Sequence, residues 1–293
     1  MRVYGWGAWS FALVVALTSC GLAWDQTRAQ DLELAPQRGS GQGVTGAFEG
    51  WYPNQDGSFN LVVGYFNRNQ DEETDVPIGP DNNIEPGGPD QGQPTHFLPR
   101  RQWGIFTITV PKDFGDKQLT WRITANGKTS VIPLGLYSLY RLEPLVDATD
   151  NTPPYIGFSD SGPFVNGPRG QSESITAKVA TPLPLTVWVA DDARNAFPGR
   201  RSATNQPVVR VHWIMFRGPG AAKFDKSAPQ VETVELKSPP PGTPFNGKAT
   251  TTVTFSEPGS YILNVQADDS TGGGPAGRQC CWSNAKVKVS VVP

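Results

Sequence analysis

Histidine and cysteine are scarce in this chain: its 293 residues hold two histidines and three cysteines. A histidine-based triad or a zinc site would have to use His96 or His212, and neither has a recognisable partner spacing. No cysteine spacing of the metal-binding kind occurs. Excess charge of one sign is also missing. There are 25 Lys+Arg against 27 Asp+Glu, a formal net charge of -2, which leaves no electrostatic case for a nucleic-acid partner. The sequence has no Gly-x-Ser-x-Gly elbow and no His-Glu-x-x-His motif. The run Thr271-Gly-Gly-Gly-Pro-Ala-Gly277 lacks the Lys-Ser/Thr and the helix that a phosphate cradle needs. No convincing amphipathic helix follows the first residues.

What is present points to strands and turns. Gly 32 and Pro 28 make up about a fifth of the chain, beside 37% hydrophobic residues and 9 Trp. That mixture suits short strands, many turns and well-filled cores, and the length allows two domains of ordinary size.

Residues 1–23 read as an export signal, with Arg2 before the apolar run Tyr4 to Leu17. The run is too short and too soon followed by polar residues to be a membrane span. Leu17-Thr-Ser-Cys20 resembles the bacterial lipobox, in which Cys20 becomes the lipidated terminus. Ordinary cleavage near Gly21-Leu-Ala23 and an uncleaved anchor are the alternatives. In each case the membrane is met only through the signal or a lipid anchor. The adjacent Cys280 and Cys281 have three readings: one buried and one loop thiol, a vicinal disulfide, or an intermolecular bridge.

Residues 24–48 read as a flexible spacer. Residues 49–146 read as a small antiparallel β domain. Phe59, Leu61, Val63 and Tyr65 alternate along one strand, and Leu119, Trp121, Ile123 and Ala125 along another. Asn126-Gly127 then marks a hairpin before Thr129. A long loop, 77–99, separates the strands and is a candidate binding element. Residues 147–174 read as a Pro/Gly-rich linker.

Residues 175–293 read as a second sandwich. Val209, Val211, Trp213 and Met215 form one strand face, with Arg210 and His212 on the other. Tyr261, Leu263, Val265 and Ala267 form another. Ala285, Val287, Val289 and Val291 close the domain, with Lys286 and Lys288 expected to face water. Trp213 and Tyr261 fall where an immunoglobulin-like sandwich places its central Trp and its corner Tyr.

Two strands of this domain end in the same dipeptide: Pro184 to Asp192, and Pro258 to Asp269. If they are the second and sixth strands, Asp191, Asp192, Asp268 and Asp269 converge at one pole. Flexible loops rich in carboxylates suit calcium, which takes six to eight oxygen ligands. On the same assignment the domain entry would bring Asp147, Asp150 and Asn151 near that pole. The competing reading is four ordinary solvated turn acids.

The run Pro258 to Asp269, with Asn284 to Val292 after it, resembles the last two strands of PKD-type and cadherin-like domains. Asp147-Ala-Thr-Asp-Asn-Thr-Pro153 is similar to the calcium-binding linker between cadherin repeats, without the acidic motif of a preceding repeat. The first domain, through Gly64 to Arg68, Val76 to Gly79, Gln91 to Thr95 and Leu119 to Trp121, looks like a module of bacterial secreted or surface proteins. These resemblances imply an all-β chain of two antiparallel sandwiches, the second immunoglobulin-like. They imply a non-enzymatic, exported protein: periplasmic, anchored at the outer envelope or extracellular. Its role would be structural or adhesive towards a protein or glycan at the cell surface. The alternatives are a carbohydrate-binding protein using Trp51, Tyr52, Phe66, Trp103, Trp188 or Trp282, and a hydrolase of an extracellular polymer.

Overall fold

The computed structural model describes residues 38–147, 150–194, 208–269 and 280–293. The export signal, Cys20, the first part of the spacer and the loop at 271–277 lie outside the described residues. Within them the chain is all-β apart from one 3-10 turn, Ser138–Tyr140.

The first sandwich is built from β1 (Val44–Pro53), β2 (Phe59–Asn67), β3 (Thr74–Asp75), β4 (Asn82–Glu85), β5 (His96–Phe97), β6 (Arg100–Val110), β7 (Gln118–Ala125) and β8 (Lys128–Gly135). Sheet β1-β2-β6 packs against sheet β4-β7-β8, and β3 pairs with β5 beside them. β1 starts at Val44, within the stretch read as spacer, because glycines break the alternation that marks a strand. Leu61, Val63 and Tyr65 fill the core with Ile84, Trp121 and Ile123. At the β7–β8 turn Asn126 (φ 50°) and Gly127 (φ 70°) both adopt the positive φ expected of an Asn-Gly hairpin.

The loop 77–99 is not structureless. It contributes β4 and β5, and it is organised around the buried amide of Asn82. Asn82 Nδ2 donates to the Val76 and Pro94 carbonyls at 2.9 and 2.8 Å, and its Oδ1 accepts from Trp121 Nε1 at 3.0 Å. A short segment flanked by Pro and Gly carries too little alternation to be read as a strand from sequence.

The second sandwich is built from β9 (Tyr155–Gly157), β10 (Gln171–Lys178), β11 (Leu183–Asp191), β12 (Val209–Arg217), β13 (Ala222–Phe224), β14 (Val231–Thr233), β15 (Phe245–Phe255), β16 (Gly259–Asp269) and β17 (Trp282–Val292). One sheet runs β10-β17-β16-β12; the other runs β13-β15-β11-β9, with β14 also on β15. This is the immunoglobulin-like division of strands, with β10 parallel to β17. Trp213 is buried in the core, and the Tyr261 hydroxyl donates to the Glu257 carbonyl at 3.0 Å, the corner expected of such a sandwich. The stretch 147–174 carries β9, and its Asn151 and Ile156 are buried.

The first sandwich covers part of the outer face of β12-β16-β17, while Arg210, His212 and Lys288 of that face stay exposed. Phe216 sits in the first core, and Trp282 packs with Tyr52, Val62 and Leu142. Arg217 makes a fork onto Asp90 at 2.7 and 2.9 Å, and its Nε donates to the Gln93 carbonyl at 2.7 Å. Asn284 Nδ2 and Trp282 Nε1 both donate to the Gly104 carbonyl, at 2.7 and 3.1 Å. This packing overturns the expectation that Lys286 faces water. Lys288 is exposed, but Lys286 Nζ lies 4.1 Å from the centre of the Phe216 ring. Burial, and then the neighbouring Arg217 and Lys288, push its pKa down to about 8. A period-2 pattern shows which face is apolar and not what later covers the polar one.

Candidate functional site

β11 and β16 lie in facing sheets and end at the same pole. Side chains alternate along a strand, so the odd-numbered positions of both strands point into the sandwich. Asp191 and Asp269 are the last of these inward positions, and each is 1% exposed. The Asp191 Oδ1 accepts from the Ala193 N–H at 2.8 Å, while its Oδ2 is buried with no hydrogen-bond partner. Burial raises the Asp191 pKa to about 7, the Ala193 N–H opposes the rise, and the charges of Asp269 and Asp192 add to it. Asp269 Oδ2 accepts from Asn151 Nδ2 at 2.7 Å.

The other two acids do different work. Asp192 faces outward and holds the entering chain, its Oδ2 accepting from the Thr152 N–H and hydroxyl at 2.9 and 2.8 Å. Asp268, in the opposite phase of β16, accepts from Arg210 at 2.8 Å on the outer face. The structure therefore brings Asp191 and Asp269 together, sets Asp192 beside them and turns Asp268 away.

Asn151 ties the pole together. Its N–H donates to Asp147 Oδ1 at 3.1 Å, and its carbonyl lies 3.5 and 3.9 Å from the sulfurs of Cys281 and Cys280. Those two cysteines form a disulfide between chain neighbours. Asp150 is turned aside to Arg194, 3.8 Å away. Among the described residues, no group of three or more His, Cys, Asp or Glu side chains is arranged to hold a metal ion.

Both histidines line a second feature, a cleft of about 410 Å³ between the sandwiches, together with Glu73 and Asp75. His96 is buried, with Nδ1 2.8 Å from Asp75 Oδ1 and Nε2 3.4 Å from Glu73 Oε2. An imidazole whose two nitrogens both face carboxylates has neither turned to a nucleophile, so this is a poor general base. Sequence reasoning missed this grouping because Glu73 and Asp75 sit in a two-residue strand and its approach, whose pairing with β5 has no sequence signal.

The aromatic residues named for glycan stacking do not form an open row. Trp282 and Tyr52 are buried. Trp103 lies 3.8 Å beneath the Arg101 guanidinium, and Trp51 Nε1 donates to the Tyr137 carbonyl. Trp188 is half-buried and Phe66 is exposed, each beside a cation.

No protein-family model matches the chain, and no curated protein matches it. Among solved structures, domains 4 and 5 of the S-layer protein SbsC are 13% identical, with 86% of this chain and 98% of that chain covered and a TM-score of 0.24. An intimin domain is 13% identical over 85% of this chain and all of its own, with a TM-score of 0.26. The zebrafish RET cadherin-like domains 1 to 4 are 12% identical over 79% of this chain and 47% of theirs, with a TM-score of 0.23. Likenesses this distant carry no functional information. No helix among the described residues is long and apolar enough to cross a membrane.

Proposed function

We propose that the chain is an exported, non-enzymatic protein that serves as a stiff structural or adhesive element at the cell envelope. The carrying observation is the covered part of the outer face of β12-β16-β17: one sandwich inserts Phe216 into the core of the other, so the pair presents one surface without a hinge. The Cys280–Cys281 disulfide favours an oxidising compartment, in line with the export signal. Pulling the mature protein from its ends in a force spectrometer tests the reading. A single cooperative rupture for the fused pair is expected, with the protein recovered from the envelope or the medium of producing cells. Two independent ruptures, recovery from the cytosol, or turnover of polysaccharide or peptide substrates would sink it.

A second element of the reading is calcium at the acidic pole, favoured by the buried, unpartnered Oδ2 of Asp191 beside Asp269. The two carboxylates would hold the ion and the cation would supply the charge the pole lacks; two acids fall short of a full oxygen shell, so carbonyls or water must complete it. Thermal unfolding at pH 8 with calcium and then with chelator decides this. A rise in melting temperature that disappears in Asp191→Asn is expected. Superimposable curves at millimolar calcium remove the metal and leave a pole that holds a proton instead.

A further inference from the structure

β12 is the last strand of its sheet, and its outer edge borders the cleft that contains both histidines. In an antiparallel ladder, residues whose backbone groups face the neighbouring strand alternate with residues whose groups face away. The Trp213 N–H faces away from β16, because it donates to the Ser227 carbonyl at 2.7 Å. Met215 is in the same phase, so its N–H and the Trp213 carbonyl face the cleft. At the far end the Thr95 N–H donates to the Phe216 carbonyl at 3.1 Å. The edge is thus closed at both ends by loops and borders the cleft between them.

We propose that this cleft binds an extended peptide bearing a basic side chain, which pairs through its backbone with the short stretch of the β12 edge between the two closures, the Trp213 carbonyl and the Met215 N–H. Backbone pairing supplies affinity for any extended segment, and the side-chain walls supply selectivity. Leu98, Ile214 and Phe224 line the cleft with apolar surface for one phase of the peptide. Glu73 and Asp75 stand at its rim with side chains 57% and 66% exposed. Each engages His96 through one oxygen and has a second that accepts from a Lys or Arg of the peptide. The same rim repels an acidic peptide. The proposal is independent of where the protein resides and of the acidic pole.

The test is selection of a displayed random linear-peptide library on the intact mature chain, followed by titration with the best synthetic binder. Enriched sequences should alternate apolar and polar residues and carry Lys or Arg. Binding should slow hydrogen exchange at the Met215 amide in the native protein. It should weaken by about tenfold or more in Glu73→Gln/Asp75→Asn, as expected for loss of charge-assisted bonds, and be abolished in Glu73→Lys. Both carboxylates also hold the buried His96, so each variant is first compared with the parent by thermal unfolding and its binding is read well below its own melting temperature. No enrichment overturns the proposal. So do binders that leave Met215 exchange unchanged, or that are indifferent to both rim variants.

Discussion

Trp282 of the second sandwich is fully buried against Gly104 of the first, its Nε1 donating to the Gly104 carbonyl at 3.1 Å. Gly104 has φ +51°, and a Cβ built there would overlap the indole. Positive φ costs a residue with a Cβ about 1–2 kcal/mol, and overpacking adds about 1–3 kcal/mol. Gly104→Ala should therefore lose about 2–5 kcal/mol in urea unfolding. Gly41→Ala is the control, since Gly41 has φ +75° with nothing within 4 Å of the added carbon. It should lose only the backbone share. Equal losses at the two positions would show that the indole does not pack there in solution.

Asp191 sets a pH dependence of unusual sign for a carboxylate. Its pKa in the fold is about 7, against 3.8 when unperturbed. The folded state therefore binds more protons between those values, and stability falls as pH rises. The contribution is fully present below pH 3.8 and is lost as pH passes about 7; the ionised carboxylate costs the fold on the order of 4 kcal/mol. Asp191→Asn should flatten the profile between about pH 4 and 7, the span between the two pKa values, and be more stable than the parent at its upper end. A parent profile that rises through this range would place the carboxylate in a better-solvated setting. Bound calcium would favour the ionised form and rescue the parent at high pH, and should do nothing for the variant.

The sequence made the second sandwich legible because its strands alternate cleanly. Val209 to Met215 and Ala285 to Val291 each mark an inward face, and the tyrosine corner follows from one residue type at one position. The reading of four acids at one pole came from assigning the two runs to strands of an immunoglobulin-like sandwich, and the structure brings Asp191 and Asp269 together there. Strand phase separates Asp268 from Asp269, which four acids read as one cluster conceal. What one sandwich lays on another was not legible. Lys286, Phe216 and Ile262 all lie on the outward phase, and nothing local distinguishes an outward residue in water from one beneath a second domain. The His96 cleft escaped for a similar reason, since its walls come from segments far apart in the chain.

The Arg217–Asp90 fork should hold the two sandwiches together more firmly than an ordinary surface pair. Arg217 is 17% exposed and donates at three positions, although Asp90 is 52% exposed and partly screened. Arg217→Ala should cost about 1–2 kcal/mol by urea unfolding at neutral pH. Arg217→Lys should recover less than half of that, because an ammonium cannot present a parallel pair of N–H bonds and also reach Gln93. The guanidinium holds the Asp90 pKa below its ordinary value, so this stability is present above the unfolded pKa and lost as the pH falls. The alanine variant should accordingly lose less than the parent on acidification. A lysine variant as stable as the parent would reduce the fork to a simple charge pair.

Tyr261 separates the hydrogen bond of the corner from the packing of the ring. The hydroxyl donates to Glu257, while the ring is 1% exposed and lies 4.7 Å, centre to centre, from Phe255. Tyr261→Phe keeps the packing and leaves the Glu257 carbonyl without this donor, for a loss of about 1 kcal/mol. Tyr261→Ala also empties part of the core and should lose about 3–5 kcal/mol. The two losses are expected to differ in kinetics as well as size. The corner joins β15 to β16, neighbours in sequence that lie in opposite sheets, so a bond formed early in folding would slow folding when removed, and a late one would speed unfolding. Chevron plots of the phenylalanine variant therefore report whether the turn between the sheets is in place at the transition state. A phenylalanine variant with the parent's stability would mean that water satisfies the Glu257 carbonyl as well as Tyr261 does.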